Sequence, residues 1–127
     1  MSKAETLIGI GVPAEQAVRI AVKDLHTGVT ATGTAIGDAK QLTGEYNTLG
    51  TVAASTGVLL PNLPIGSIAF VKNGGANTVN VFPPTSSGTI TSGTTTGSAG
   101  AAQTVATTKT AMFTRVSSTD WEYVALN

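Results

Sequence analysis

The chain has no cysteine, little charge, few aromatic residues and no long hydrophobic run. Without cysteine it has neither disulfides nor thiolate metal ligands, which fits folding in a reducing cytosol. Charged residues make up 11% of the 127 positions, seven basic and seven acidic, so the formal net charge is zero. This balance argues against a nucleic-acid-binding protein, which needs clustered cations. No run of about 18 apolar residues occurs, so we expect no membrane-spanning helix.

Small and hydroxyl-bearing residues dominate what remains, and threonine alone is about a sixth of the chain. Hydrophobic residues reach 41%, although aromatic residues are only 5%. This length suits one ordinary domain that buries enough surface to need no metal or disulfide. The opening residues, MSKAE, lack the basic flank and apolar stretch of a signal peptide, and we expect none.

Residues 1–27 have a helical pattern. Ser2 and Glu5 have the spacing of a capping box, and Pro13 suits the first position of a second helix. We expect that helix to end at Gly28, with His26 in its last turn. Its apolar side recurs at helical spacing through Ala14, Ala17, Val18, Ala21 and Leu25. Because this stripe is too short to be buried within the segment, residues 1–27 are predicted to be a helical docking or oligomerisation segment.

Residues 28–127 are predicted to be a β domain. Alternation and turn residues favour strands at 30–36, 46–53, 57–60, 67–72, 78–82, 109–116 and 121–126. The sequence NGGAN at 73–77 predicts a hairpin loop between the two strands beside it. Residues 85–100 predict a pliable loop or a pair of frayed edge strands, with Ile90 buried.

These strands predict an antiparallel β-sandwich or jelly-roll-like barrel behind the short N-terminal helical segment. No strand–helix–strand pattern occurs, which disfavours a parallel α/β fold. With so few large side chains, we expect the five C-terminal aromatic residues to mark the core: Phe70, Phe82, Phe113, Trp121 and Tyr123.

The sequence contains only weak candidates for catalytic or metal-binding residues. His26 could act in catalysis only beside a nucleophile or carboxylate, and a charge at a helix end is the simpler interpretation. Asp120 and Glu122 share a strand face and could hold a cation or act on glycosides. The simpler interpretation is that Asp120 is a turn residue and Glu122 a solvated strand residue, because the sequence supplies no further ligands.

Aromatic and glycine patterns are equally weak. Trp121 and Tyr123 could stack on a sugar, although a core or interface role suits a chain this poor in aromatic residues. Gly9 and Gly11 precede a helix but lack the third glycine and the strand of a dinucleotide site, and Gly74-Gly75 lacks a Walker ending. We therefore expect that the protein is not an enzyme and that it has no catalytic residue, cofactor or metal site.

Several stretches resemble virion proteins of tailed bacteriophages. Residues 70–83 (FVKNGGANTVNVFP) are followed by Gly-Thr-Ile at 88–90, by a strand ending in phenylalanine at 110–113, and by a tryptophan strand at 121–124. Residues 7–13 with Gln16 and Ala17 are similar to the opening of phage head-fibre proteins. The resemblance implies a head decoration (cement) or head-fibre protein outside the capsid, commonly homotrimeric, that binds the major capsid protein.

Two other hypotheses stay open at this point. A tail-fibre or baseplate module would contact a host glycan through the 85–100 loop or the Trp121 and Tyr123 face. A small polysaccharide-binding or polysaccharide-active domain would depend on Asp120, Trp121 and Glu122. Neither nucleic acid nor membrane is an expected partner, and the expected location is the virion, after synthesis in the host cytoplasm.

Overall fold

A computed structural model describes residues 24–126, which form eleven strands in two sheets, with 48% strand and no helix among these residues. Residues 1–23, which hold most of the predicted helical segment, lie outside the described residues. The strands are β1 (Leu25–Thr30), β2 (Lys40–Gln41), β3 (Tyr46–Thr51), β4 (Gly57–Leu59), β5 (Ile68–Asn73), β6 (Val79–Phe82), β7 (Thr89–Ser92), β8 (Thr95–Thr96), β9 (Gln103–Val105), β10 (Thr110–Arg115) and β11 (Asp120–Ala125).

The large sheet has seven strands in the order β1-β3-β5-β10-β11-β7-β8, and the small sheet has four in the order β2-β4-β6-β9. The first six strands alternate between the two sheets. Each strand of the large sheet and the strand that follows it in the small sheet therefore form one turn of a coil. Successive coils stack in parallel, β1 on β3 on β5 and β2 on β4 on β6. The hairpin of β10 and β11 then extends the large sheet beyond β5.

The mainly β, two-sheet prediction is confirmed, but the antiparallel arrangement is wrong. Five of the nine strand pairings in residues 24–126 are parallel. The physical reason is that strands adjacent in sequence up to β6 lie in different sheets, so each strand pairs with the strand one coil away. Parallel pairing needs such crossover connections, which here pass through the other sheet instead of a helix.

The hairpin predicted at residues 73–77 shows how this happens. Both flanking strands exist, but β5 lies in the large sheet and β6 in the small one. Asn73 is fully buried at the corner between them. Its side-chain amide donates to the carbonyls of Asn77 at 2.8 Å and Val105 at 2.9 Å, and its Oδ1 accepts from the Gly75 amide at 3.0 Å. These bonds hold the chain in a corner that leads into the second sheet.

The last helical turn, predicted at residues 25–27, is not formed. Residues 25–27 belong to β1, where the sequence predicts the last helical turn, because Leu25 and His26 pair with Tyr46 and Asn47 of β3. Gly28 has a left-handed φ of +64° in an irregularity of this pairing, where the sequence predicts a helix end. Strand pairing overrides a local helical preference, which is worth only a few tenths of a kcal/mol per residue.

The strand predicted at 30–36 is wrong for a similar local reason. β1 ends at Thr30, and residues 34–39 form a turn and bends. The Asp38 carboxylate accepts hydrogen bonds from the amides of Thr34 at 3.1 Å and Ala35 at 2.9 Å, which closes this turn. Aspartate favours turns through this kind of bond.

The core lies between the two sheets and consists mainly of valine, leucine and alanine. Phe113 and Trp121 fill its centre, and Phe82 is buried at its margin, as predicted. Tyr123 is partly buried against this core, with its ring 5.4 Å from that of Phe113. Phe70 contradicts the prediction, because it lies half-buried on the outer face of the large sheet.

Candidate interaction surface

The sequence-predicted candidates do not come together in one site. His26 lies in β1, and its Nδ1 accepts a hydrogen bond from the Thr43 amide at 3.2 Å. This contact holds the loop before β3 against β1, so the side chain has a structural partner. The helix-end interpretation of His26 is wrong, because His26 lies within β1.

Asp120 and Glu122 lie on the same side of β11, as the spacing predicts. Asp120 accepts hydrogen bonds from the hydroxyls of Thr89 and Thr119, and its own amide donates to Ser117 Oγ at 3.1 Å. The Thr89 hydroxyl, and less so the turn hydroxyls, lower the pKa of Asp120 against the opposing effect of burial. Asp120, predicted as a turn residue, is the first residue of β11, and its carboxylate accepts hydrogen bonds from β7 and from the bend before the strand. Within residues 24–126 no three His, Cys, Asp or Glu side chains lie close enough to hold a metal ion.

The proposed sugar platform is contradicted by burial. Trp121 is 1% exposed and Tyr123 packs against the core on the same side of β11. Trp121 has no exposed face on which a sugar could stack, which confirms its core interpretation, whereas Tyr123 is only partly buried. Residues 85–100 contain the β7–β8 hairpin at the edge of the large sheet, which matches the edge-strand alternative, and Ile90 is buried there.

The glycine candidates have structural explanations where they are described. A side chain at Gly75 would collide with Val52, since a Cβ there would lie 2.6 Å from that residue. A Cβ at Gly74 would lie 2.9 Å from the Leu49 carbonyl oxygen. Both glycines permit close packing at the corner after β5. Gly9 and Gly11 lie outside the described residues.

The outer face of the large sheet has a feature that the sequence did not point to. One apolar residue from each of five adjacent strands lies on this face, and strand register places the five side by side. We call them the apolar row: Leu25, Tyr46, Phe70, Met112 and Val124. Leu25 is 65% exposed and Val124 48% exposed, while the three central members are half-buried. The rings of Tyr46 and Phe70 are 5.5 Å apart.

Threonines and charged residues, together with the exposed Ile68, border the apolar row on its two sides. On one side Thr114 lies between Ile68 and Glu122. On the other, Lys72 lies between Thr48 and Thr110, and the Leu126 amide continues the pairing by donating to the Thr110 carbonyl at 3.0 Å. An apolar centre with a polar rim is the usual anatomy of a protein–protein interface. The members of the apolar row are also contiguous, whereas apolar residues on an ordinary protein surface are scattered singly.

Sequence reasoning missed the apolar row because its members come from strands far apart in the chain. Each contributes a single outward residue, and ordinary alternation in one strand does not show which strand lies beside it. The only sequence signal was that Ile68 and Phe70 share one face of a predicted strand, opposite the side that is buried.

Comparisons of the chain with protein-family profiles, with curated proteins and with solved structures found no match. Among residues 24–126 there is no helix that has the length and apolar character to cross a membrane.

Proposed function

We propose that this chain is a structural virion protein of a tailed bacteriophage, a capsid decoration (cement) or head-fibre protein without enzymatic activity. In this proposal it binds the major capsid protein on the outside of the head as a homotrimer, after synthesis in the host cytoplasm, and stabilises the shell. It binds neither nucleic acid nor membrane. The observation that supports it best is the apolar row with its threonine-rich rim, together with the likeness of residues 70–83 to phage virion proteins.

The chemistry of this face suits permanent contact. Val124 in the row and the threonines beside it lose little rotamer freedom when they become ordered, so their part of the interface has a small entropic cost. The zero net charge gives copies no overall electrostatic repulsion. Covering the apolar row would remove from water a surface that is otherwise an aggregation hazard.

Attachment to the shell is multivalent in this proposal. Three linked copies each make a modest contact with neighbouring capsid subunits. After the first contact forms, the others occur at high effective concentration, and avidity exceeds the single-site affinity by about 10²–10⁴-fold. The docking or trimerising segment predicted at residues 1–27 then consists of the residues before β1, because residues 25–27 are part of the sheet.

Co-sedimentation with empty heads of the phage that encodes the chain tests this function. We expect the wild-type protein to pellet with the heads and Val124→Asp, in the apolar row, to lose most of this binding because the trimer dissociates. Val116→Asp is the matched control, since Val116 is 45% exposed and lies outside the row. Wild-type protein that stays in the supernatant would reject the capsid role.

Gold-labelled antibody on intact virions then separates head from tail. Label on the head is the expected result. Label confined to the tail would contradict the decoration role and favour the tail-fibre or baseplate alternative.

A further inference from the structure

We propose that three copies of this chain meet around a three-fold axis parallel to their apolar rows, with the lysine flank of each copy against the glutamate flank of the next. The two flanks are the lines of residues on either side of the row. The lysine flank consists of Thr48, Lys72 and Thr110, and the glutamate flank of Ile68, Thr114 and Glu122. The inference rests on the proposed homotrimer and names the contact that would hold it together.

Exposed apolar side chains concentrate on this face. Six large apolar side chains among residues 24–126 are exposed, and four of them lie in the apolar row or directly beside it: Leu25, Ile68, Val124 and Leu126. Ile68 is 39% exposed in the glutamate flank, and Leu126 is 49% exposed beside Thr110 of the lysine flank. A partner that covers the apolar surface of this face therefore reaches both flanks as well as the row.

The charges on the two flanks identify that partner as a second copy. Each flank has one charged side chain, Lys72 on β5 and Glu122 on β11, and both are exposed. Unlike charges across an interface attract and like charges oppose association. The two flanks of one chain are thus complementary to each other, so a second copy supplies the charge that each flank favours.

The same charges select the direction of the axis. An axis parallel to the strands and beneath Phe70 would bring the Lys72 side chains of all three copies together, because Lys72 and Phe70 lie on the same strand. An axis parallel to the row keeps the three lysines at separate corners of the assembly. It also turns every lysine flank toward a glutamate flank, which removes the repulsion between like charges.

Side chains on the flanks match strand by strand in this arrangement. Rotation about an axis parallel to the row keeps each strand at its own height, so β5 of one copy meets β5 of the next. Lys72 then lies against Ile68 of the neighbour, where its methylene stem covers the apolar side chain and its ammonium group stays in water. In the layer of β11, Leu126 lies against the methylene groups of Glu122. Threonines meet in the layer of β10.

The symmetry of the contact follows from its two different halves. A lysine flank that binds a glutamate flank is a heterologous contact, and such contacts close into a ring when the rotation allows. Three copies give three such contacts. The three apolar rows, each spanning five strands or about 19 Å, then form the centre of the assembly. The polar flanks surround this centre, as in other protein–protein interfaces.

Charge reversal tests the pairing of the flanks. We expect Lys72→Glu to weaken the trimer about tenfold at low salt, because two acidic flanks then face each other. The double variant Lys72→Glu with Glu122→Lys restores unlike charges and should return the association constant to within about threefold of wild type. Light scattering over a dilution series measures both. A double variant no more associated than Lys72→Glu would overturn the pairing.

Oxidative cross-linking of the full chain tests the contact at β5, and the natural sequence contributes no background thiol. The test variant carries Ile68→Cys and Lys72→Cys. These positions are four residues apart in one strand, or about 13 Å, whereas the Cα atoms of a disulfide lie within about 7 Å. A disulfide between them therefore forms only between copies. The control carries Ile68→Cys and Thr104→Cys, because Thr104 is exposed on β9 of the small sheet.

We expect covalent dimers and trimers from the test variant at about tenfold the control yield, as a high local concentration of the two thiols requires. Chains that carry only Lys72→Cys should stay single, since the three lysine positions lie apart. Circular dichroism confirms the β fold of each variant first. Equal yields in test and control would overturn the contact, and products that stop at two chains or extend beyond three would overturn the three-fold closure.

These failures are distinguishable from failure of the proposed function. Wild-type trimers without cross-links between the flanks reject this inference alone. Flank-specific covalent trimers of a protein that ignores phage heads support the inference and reject the capsid role. A wild-type chain that remains single rejects both the three-fold contact and the proposed homotrimer.

Discussion

Replacing Asn73 with alanine should destabilise the fold more than any other single amide substitution among residues 24–126 except the comparable change at Asn47. Asn73 is fully buried at the corner where the chain leaves β5 for the small sheet. Its side chain bonds to the backbone of Gly75, Asn77 and Val105. Through Val105, 32 residues away, it also joins the corner to β9.

The loss in the free energy of unfolding follows from the backbone groups that no longer have a hydrogen-bond partner in Asn73→Ala. Gly75 and Val105 are buried, so the Gly75 amide and the Val105 carbonyl would lie without a side-chain partner or ready access to water. Each such buried group costs about 1–3 kcal/mol. Asn77 lies in an exposed loop, where water can replace the lost bond. We therefore expect Asn73→Ala to lower the free energy of unfolding by about 3 kcal/mol, a large share of the 5–15 kcal/mol typical of a domain.

Urea unfolding followed by circular dichroism measures this loss. Asn80→Ala is the control, because Asn80 is only half-buried and its one side-chain bond, to the Ser55 carbonyl, is 3.5 Å long. The control should lose less than about 1 kcal/mol. Equal losses in the two variants would refute the reasoning, because they would mean that the buried amide does not hold the corner.

Three further predictions concern other positions. Arg115→Lys should cost about 1–3 kcal/mol in urea unfolding, because the guanidinium donates to the carbonyls of Ser117, Leu63 and Ser118 and joins two loops. Asp120→Asn should lower stability at pH 7, and since folding lowers the pKa of Asp120, unfolding curves should show this deficit disappearing as pH falls below about 4. Gly33→Ala should cost at least about 1–2 kcal/mol by thermal unfolding, because its φ is +73° and a Cβ would overlap Asp38, whereas Gly37→Ala should change little.

Local features of the fold were predictable from the sequence where neighbouring residues decide them. The strands at 46–51, 57–59, 68–73 and 79–82 and the antiparallel pair of β10 and β11 follow from alternation and turn residues. Alternation shows which residues share a face. It does not show which strand lies alongside, because that depends on contacts between distant residues such as Asn73 and Val105.

The apolar row could not be predicted from the sequence, because it too depends on which distant strands lie side by side. His26, Asp120 and Trp121 attract attention by chemical type, yet their bonds and burial give each a structural role. Leu25 and Val124 attract none, because an isolated exposed aliphatic residue is ordinary. They become significant only when the stacked coils and the C-terminal hairpin bring them into one row.

The most direct test of the central claim, that the apolar row joins copies of this chain, is the mass of the protein in solution by multi-angle light scattering. The account predicts a wild-type particle of three 12.7 kDa chains and a single chain for the variant Leu25→Ser with Val124→Asp. The matched variant, Ile65→Ser with Val116→Asp, changes residues of similar exposure outside the row and should remain a trimer. A single-chain wild type, or a row variant that keeps the wild-type mass, would contradict the account.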